Sequence, residues 1–143
     1  MGVYDNCIIL IPALQPDERM IQLIYGLHNL GFNKIAITDD GSSEDRQQYF
    51  QEAKSMGACV MHHSKKMGKG VALRSALRLA DEKIGESDFY ITADCDGQYS
   101  PEDIEKVAKE LLMNPDCFVL GVRTYVRKKG KKVRFWMNSC QKL

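Results

Sequence analysis

The run Phe89-Tyr90-Ile91-Thr92-Ala93-Asp94-Cys95-Asp96-Gly97-Gln98 decides the fold of this chain. A short, continuous apolar segment bounded by turn residues reads as a strand buried on both faces. Here it ends on two carboxylates. Side chains alternate along an extended segment, so Asp94 and Asp96, at i and i+2, point the same way and can offer oxygens to one hard cation. A divalent ion held there would suit a diphosphate ligand. An earlier apolar run, Ile35-Ala36-Ile37-Thr38, likewise empties into an acidic turn, Asp39-Asp40-Gly41-Ser42-Ser43. Both turns are expected at the same edge of one sheet.

Outward from these two runs, Cys7–Ile11, Ala58–Met61 and Cys117–Val122 have the same character, and helical patterns separate all five. Strands alternating with helices predict a mainly parallel sheet in a three-layer α/β sandwich, with right-handed crossovers. The first helix is expected from Asp17 to Leu30, because Met20, Leu23, Ile24, Leu27 and Leu30 share one face and Gly31 can close it. The second follows Ser43, buries Phe50 and Ala53, and ends at Gly57. The third starts near Lys69 with Val71, Ala72, Ala76, Leu77 and Ala80 as its inner stripe. In the fourth, Ser100 is suited to the N-cap and Pro101 to the first turn, with Ile104, Val107, Ala108 and Leu111 facing inward. After Val122 the alternation fades and the sequence turns basic.

At 143 residues the chain has the usual size of one domain, and its formal charge of +1 gives no global attraction to polyanions. Nucleic acid is therefore not an expected partner. The five cysteines form no CxxC pair, which predicts reduced thiols and a cytoplasmic setting. No apolar window reaches the ~18 residues of a membrane span. The late basic cluster Arg127, Lys128, Lys129, Lys131, Lys132 and Arg134, beside Phe135 and Trp136, has the composition of a peripheral membrane contact at the cytoplasmic face; a solvated charge run is the plainer alternative.

In open parallel sheets, ligands bind beyond the carboxyl ends of the strands, and every loop of interest lies at that edge. These loops are Pro12-Ala13, Asp39-Asp40-Gly41, Lys65 to Gly70, Asp94 to Gln98 and Gly121-Val122-Arg123. Asp-Gly alone is a routine turn. Four carboxylates at one edge are another matter, since they repel without a cation or hydrogen-bond donors. Asp94 to Glu105 resembles a calcium loop only superficially: position six is Tyr99 rather than Gly, and a strand precedes it. Lys65-Lys66-Met67-Gly68-Lys69-Gly70 is not a P-loop, yet a lysine between glycines at a helix start suits an anion. His62 and His63 sit at a strand end without a partner at ligand spacing and read as structural.

Taken in order, Ile11-Pro12-Ala13, Asp39-Asp40-Gly41-Ser42-Ser43, Gly68-Lys69-Gly70-Val71-Ala72-Leu73, Asp94-Cys95-Asp96-Gly97-Gln98 and Gly121-Val122-Arg123 resemble the family 2 glycosyltransferases of the GT-A fold. The likeness is greatest to polyprenyl-phosphate (dolichol-phosphate-like) sugar transferases. The resemblance implies that Pro12 and Ala13 line a base pocket, Asp39 or Asp40 holds base and ribose, and Lys69 lies near base or diphosphate. It implies that Asp94 and Asp96 bind Mg²⁺ or Mn²⁺ against the diphosphate of a nucleotide-diphospho-sugar donor, that Gln98 completes that motif, and that Arg123 joins the catalytic set. It further implies that Arg127, Arg134 and Asn138 meet an acceptor lipid phosphate. Leu14-Gln15-Pro16 departs from the family's usual Tyr-Asn-Glu, which leaves Asp17 as the acidic substitute.

The expected function is glycosyl transfer from a nucleotide-sugar, with residues 1–143 as an incomplete GT-A domain and residues 124–143 as the start of its acceptor-side segment. Apolar surface that a second half would cover makes association of copies the expectation. A binding module without catalysis is the alternative. A sugar-1-phosphate nucleotidyltransferase would need a Gly-rich activating loop where Pro12-Ala13-Leu14-Gln15-Pro16 stands, and a receiver domain would need its acidic pair after the first strand.

Overall fold

The structure, a computed structural model, describes residues 2–128 and 131–142; the side chains of Cys117, Phe118 and residues 120–142 fall outside that description. The chain divides into two compact units, Met1–Pro101 and Glu102–Leu143.

The first unit is built on four parallel strands, β1 (Cys7–Ala13), β2 (Ile35–Asp39), β3 (Cys59–His62) and β4 (Phe89–Thr92), in the order β3-β2-β1-β4. The two inner strands are the most apolar. Ile8, Leu10 and Ala36 face one side and Ile9, Ile11, Ile35 and Ile37 have the opposite parity, yet all are buried, so both faces of the sheet are covered. Each fully buried isoleucine contributes about 1.5–3 kcal/mol relative to an exposed one.

Helix α1 (Glu18–Asn29) starts at Asp17, whose carboxylate accepts from the Arg19 amide at 2.9 Å, and buries Met20, Leu23, Ile24 and Leu27. Its chain reversal uses Gly31 at φ +97°. A single 3₁₀ turn, Glu44–Arg46, leads into α2 (Gln47–Ser55), which buries Phe50 and Ala53 and packs on α1 and β3. Helix α3 (Lys69–Lys83) packs on β1, β2 and β3. It buries Ala72, Ala76, Leu79 and Ala80 against Ile8, Leu10 and Ala36. The expected inner stripe is thus corrected at two positions: Leu77 is 38% exposed and Val71 only half-buried, while Leu79 carries the contact. Three alanines set the helix close to the sheet, and one leucine fills the space they leave.

Strand order fixes where a ligand can sit. The steps β1 to β2 and β2 to β3 go the same way, so right-handed crossovers put α1 and α2 on one face. The step β3 to β4 returns past β1, which puts α3 on the other. The direction reverses between β1 and β4, and there the loops leave the sheet to opposite sides and open a crevice.

The second unit holds most of α4 (Pro101–Met113), which buries Ile104 and Ala108, and two long strands, β5 (Cys117–Lys128) and β6 (Lys131–Lys142). The expected fifth strand exists but differs in partner and length. It runs on to Lys128 and pairs antiparallel with β6, from Cys117↔Lys142 to Lys128↔Lys131, in a sheet of its own rather than joining the parallel one. The basic stretch, read as lacking a strand pattern, supplies β6.

Candidate active site

A cavity of about 510 Å³ opens at the switch point, within the first unit. Pro12, Ala13 and Leu14 leave β1 into it, Asp40 comes from the end of β2, and Asp94, Cys95, Asp96 and Gln98 come from the end of β4. Lys66, Lys69 and Ala72 bring the entry of α3. Of the residues expected to bind donor, Asp39 and the suggested acidic substitute Asp17 do not line it.

Asp39 is occupied elsewhere. It is 2% exposed; its Oδ1 accepts from the Ser42 amide at 2.8 Å, and its Oδ2 accepts from Gln47 Nε2 at 3.0 Å and from His62 Nδ1 at 2.7 Å. Burial pushes this carboxyl up, but the donors from Gln47, His62 and Ser42 outweigh it and hold the group below its ordinary value. Asp40 lies one residue on and serves the opposite side. Its Oδ1 accepts from His63 Nδ1 and from the Met67 amide, both at 2.8 Å, and its Oδ2 from the Gly68 amide at 3.0 Å. Here too burial raises the carboxyl and the donors, His63 first, bring it below the ordinary range.

Because a carboxylate only accepts, His63 Nδ1 donates to Asp40, and its Nε2 is hydrogen-bonded to the Ser75 hydroxyl at 2.8 Å. A chain from Ser75 in α3 through His63 to Asp40 therefore fixes the loop ahead of α3. The two histidines each bond to an aspartate of the β2 turn, partners that sequence spacing could not supply, since 23 residues separate each from its aspartate.

The other acidic turn is more open. Asp94 is partly exposed, and its Oδ1 lies 2.6 Å from Nζ of Lys69. That ion pair raises the lysine's pKa above its ordinary value. Asp96 accepts from the Gln98 amide at 3.1 Å and from Gln98 Nε2, an Asx turn that Gly97 completes at φ +76°. Between the two carboxylates, Cys95 is 8% exposed, and burial pushes its thiol up, so it is a small packing residue rather than a nucleophile.

A contact between the β1 and β2 loops was not foreseen. The Gln15 amide donates to Ser42 Oγ at 2.9 Å, and Gln15 Oε1 accepts from the Ser43 amide at 2.7 Å and the Ser43 hydroxyl at 2.9 Å. Gln15 makes these bonds from φ +51°, a backbone region that L side chains seldom adopt. Asp17, the acidic substitute suggested by sequence, instead forks with Arg19, with Nη2 to Oδ2 at 2.8 Å.

The carboxylates of Asp94 and Asp96 line the β4 side of the cavity with the Cys95 thiol held protonated between them, and such oxygen donors suit a hard divalent cation. Among the described residues no group of three or more His, Cys, Asp or Glu side chains is arranged to hold a metal ion by itself. Cations of this kind are commonly held by one or two carboxylates together with substrate phosphates, so the residues present fit such a group. Arg123 and Arg127 lie on β5 and Arg134 and Asn138 on β6; their side chains are outside the described residues.

Comparison with known proteins agrees with this geometry. A protein of Methanocaldococcus jannaschii without a characterised function is 29% identical over 119 residues, covering 83% of this chain and 47% of the relative. A UDP-N-acetylglucosamine–dolichyl-phosphate N-acetylglucosaminyltransferase of Methanococcus voltae is 26% identical over 129 residues, covering 80% of this chain and 51% of the relative. The chain thus spans about half the length of the curated relatives it matches. The model of the family described as Glycosyl transferase family 2 matches residues 9–140, from β1 to β6 and through every loop that lines the cavity. Fold, cleft and match coincide, and the chain belongs to glycosyl transferase family 2.

Proposed function

We propose that this chain supplies the donor-binding part of a glycosyltransferase that takes a sugar from a nucleotide-diphospho-sugar and passes it to a lipid phosphate. The observation that carries the reading is the cleft at the switch point, lined both by the carboxylates of Asp94 and Asp96 and by the basic entry of α3. In this reading Pro12, Ala13 and Asp40 border the base and ribose, and Asp39 acts from behind by holding the β2 turn. Lys69 and the N-terminal end of α3 face the diphosphate, where their positive charge is favourable. Asp94 and Asp96 would hold Mg²⁺ or Mn²⁺, which when bound neutralises charge developing on the leaving diphosphate. Gln98 orients Asp96.

An acceptor phosphate is already anionic. Its oxygen forms the new bond to the anomeric carbon as the bond to the diphosphate oxygen breaks, so no strong general base is required and inversion is expected. Arg123, Arg127, Arg134 and Asn138 are proposed to meet that acceptor, at the cytoplasmic face of a membrane. The M. voltae relative, by its name, uses a dolichyl phosphate. No helix among the described residues is long and apolar enough to cross a membrane, so membrane contact in this segment would be peripheral.

Calorimetry with UDP in the presence and absence of Mn²⁺ tests the reading. Asp94→Asn and Asp96→Asn are each expected to weaken Mn²⁺-dependent UDP binding by about tenfold or more. Unchanged, metal-dependent binding in both variants would overturn the assignment. A turnover assay on the same samples separates a transferase from a binding module, which would bind UDP without transfer or donor hydrolysis.

A further inference from the structure

Lys69 and Asp94 form an ion pair inside the cleft, and its consequence reaches beyond donor contact. The ammonium stands 2.6 Å from Oδ1 of Asp94, so one of that carboxylate's two oxygens is already engaged by a cationic side chain. Lysine is the mobile member, since its side chain is 64% exposed against 23% for the aspartate. Its neighbours leave it room: a Cβ built on Gly68 or on Gly70 would meet nothing within 4 Å. The second carboxylate, Asp96, is likewise engaged, by the amide and side chain of Gln98. In the free chain, then, neither carboxylate is bare.

We propose that Lys69 is a latch on Asp94: it holds a carboxylate oxygen while the cleft is empty and lets go when an anionic diphosphate arrives to take the ammonium instead. The proposal rests on the reading of Asp94 as a metal ligand. Its content is a coupling. A cation alone must displace the lysine from Asp94, whereas a diphosphate offers Lys69 a new anionic partner beside the α3 N-terminus. Diphosphate and cation therefore promote each other's binding, and by linkage the effect is reciprocal. The latch also keeps an empty site from trapping stray divalent ions.

The test is Mn²⁺ binding to the full chain, followed by the loss of the free-ion electron paramagnetic resonance signal, with and without UDP. Lys69→Met is expected to bind Mn²⁺ alone about two- to fivefold more tightly than the parent chain, the range that an exposed ion pair supports. UDP should then enhance Mn²⁺ affinity less in Lys69→Met than in the parent. Lys66→Met removes the same charge from the same cleft without breaking the Asp94 pair, and should shift Mn²⁺ affinity less. Equal gains in the two lysine variants, or no gain in Lys69→Met, would overturn the latch. Asp94→Asn tells that failure from a failure of the metal reading. If this variant keeps parental Mn²⁺ affinity in the presence of UDP, the metal assignment falls and the latch with it. If it loses Mn²⁺ while Lys69→Met behaves as the parent, only the latch is wrong.

Discussion

Adjacent aspartates in the β2 turn do different work, because consecutive residues at a strand end point to opposite sides. Asp39 ties its own turn to α2 and β3, and Asp40 ties the loop before α3. Asp40→Asn replaces one of the two accepting oxygens by an NH2 that must face at least one of the three donors, and His63→Ala leaves a buried carboxylate short of a partner. Each is expected to cost about 1–3 kcal/mol in equilibrium denaturation. Both aspartates have folded-state pKa values below their ordinary range. Their stabilisation is therefore complete above the unfolded value of about 4 and is lost as pH falls through the depressed folded values. Denaturation at pH 7 and at successively lower pH should show that loss, and Asp39→Asn with Asp40→Asn should flatten it. Sequence made these carboxylates visible as a cluster needing donors. It did not name the donors, because His62, His63 and the 67–68 amides come from across the sheet and leave no periodic trace.

Elements were legible where one rule governed them. Continuous apolar runs marked the parallel strands because both faces of β1 and β2 are buried, and helical stripes with their caps marked both ends of α1 and the starts of α3 and α4 to within a residue, whereas α2 begins at Gln47, after a 3₁₀ turn, rather than directly after Ser43. The stripe of α3 misled at Leu77 and Leu79 because three alanines define its inner line only loosely. At Cys117–Val122 the run looked like a fifth parallel strand, since a fully apolar run carries no information about its partner. The signal for the hairpin was present in the β-favouring Val133, Phe135, Trp136 and Met137 after a short break at Lys129-Gly130. Between elements, loop contacts set the cleft. Gly41 adopts φ +77°, and a Cβ on it would lie 2.5 Å from the Lys66 amide nitrogen, so Gly41→Ala should cost more than about 1 kcal/mol. At Gln15 two effects compete. Gln15→Ala keeps the left-handed backbone and loses the bonds to Ser43, whereas Gln15→Gly loses the same bonds but relieves about 1–2 kcal/mol of strain. Thermal denaturation should therefore rank Gln15→Ala below Gln15→Gly, and the opposite order would deny the strain.

At the scale of the molecule, the sheet order predicts where the first unit resists opening. Strands β1 and β2 have a neighbour on each side and are almost wholly buried, while β3 and β4 each have one strand neighbour in this sheet and are half-buried. Amide hydrogen exchange is expected to be slowest in Ile8–Ile11 and Ile35–Thr38 and faster in β3 and β4. Equal protection across all four strands would contradict that ranking. The β1–β4 pairing carries a further consequence for the chain as it is made. Residues 7–10 must wait for residues 89–92 before they gain their second strand neighbour, and the carboxylates that complete the cleft lie just beyond, at 94 and 96. During ribosomal synthesis the pocket is thus the last part of this unit to close, and its walls come together in one late step rather than by degrees.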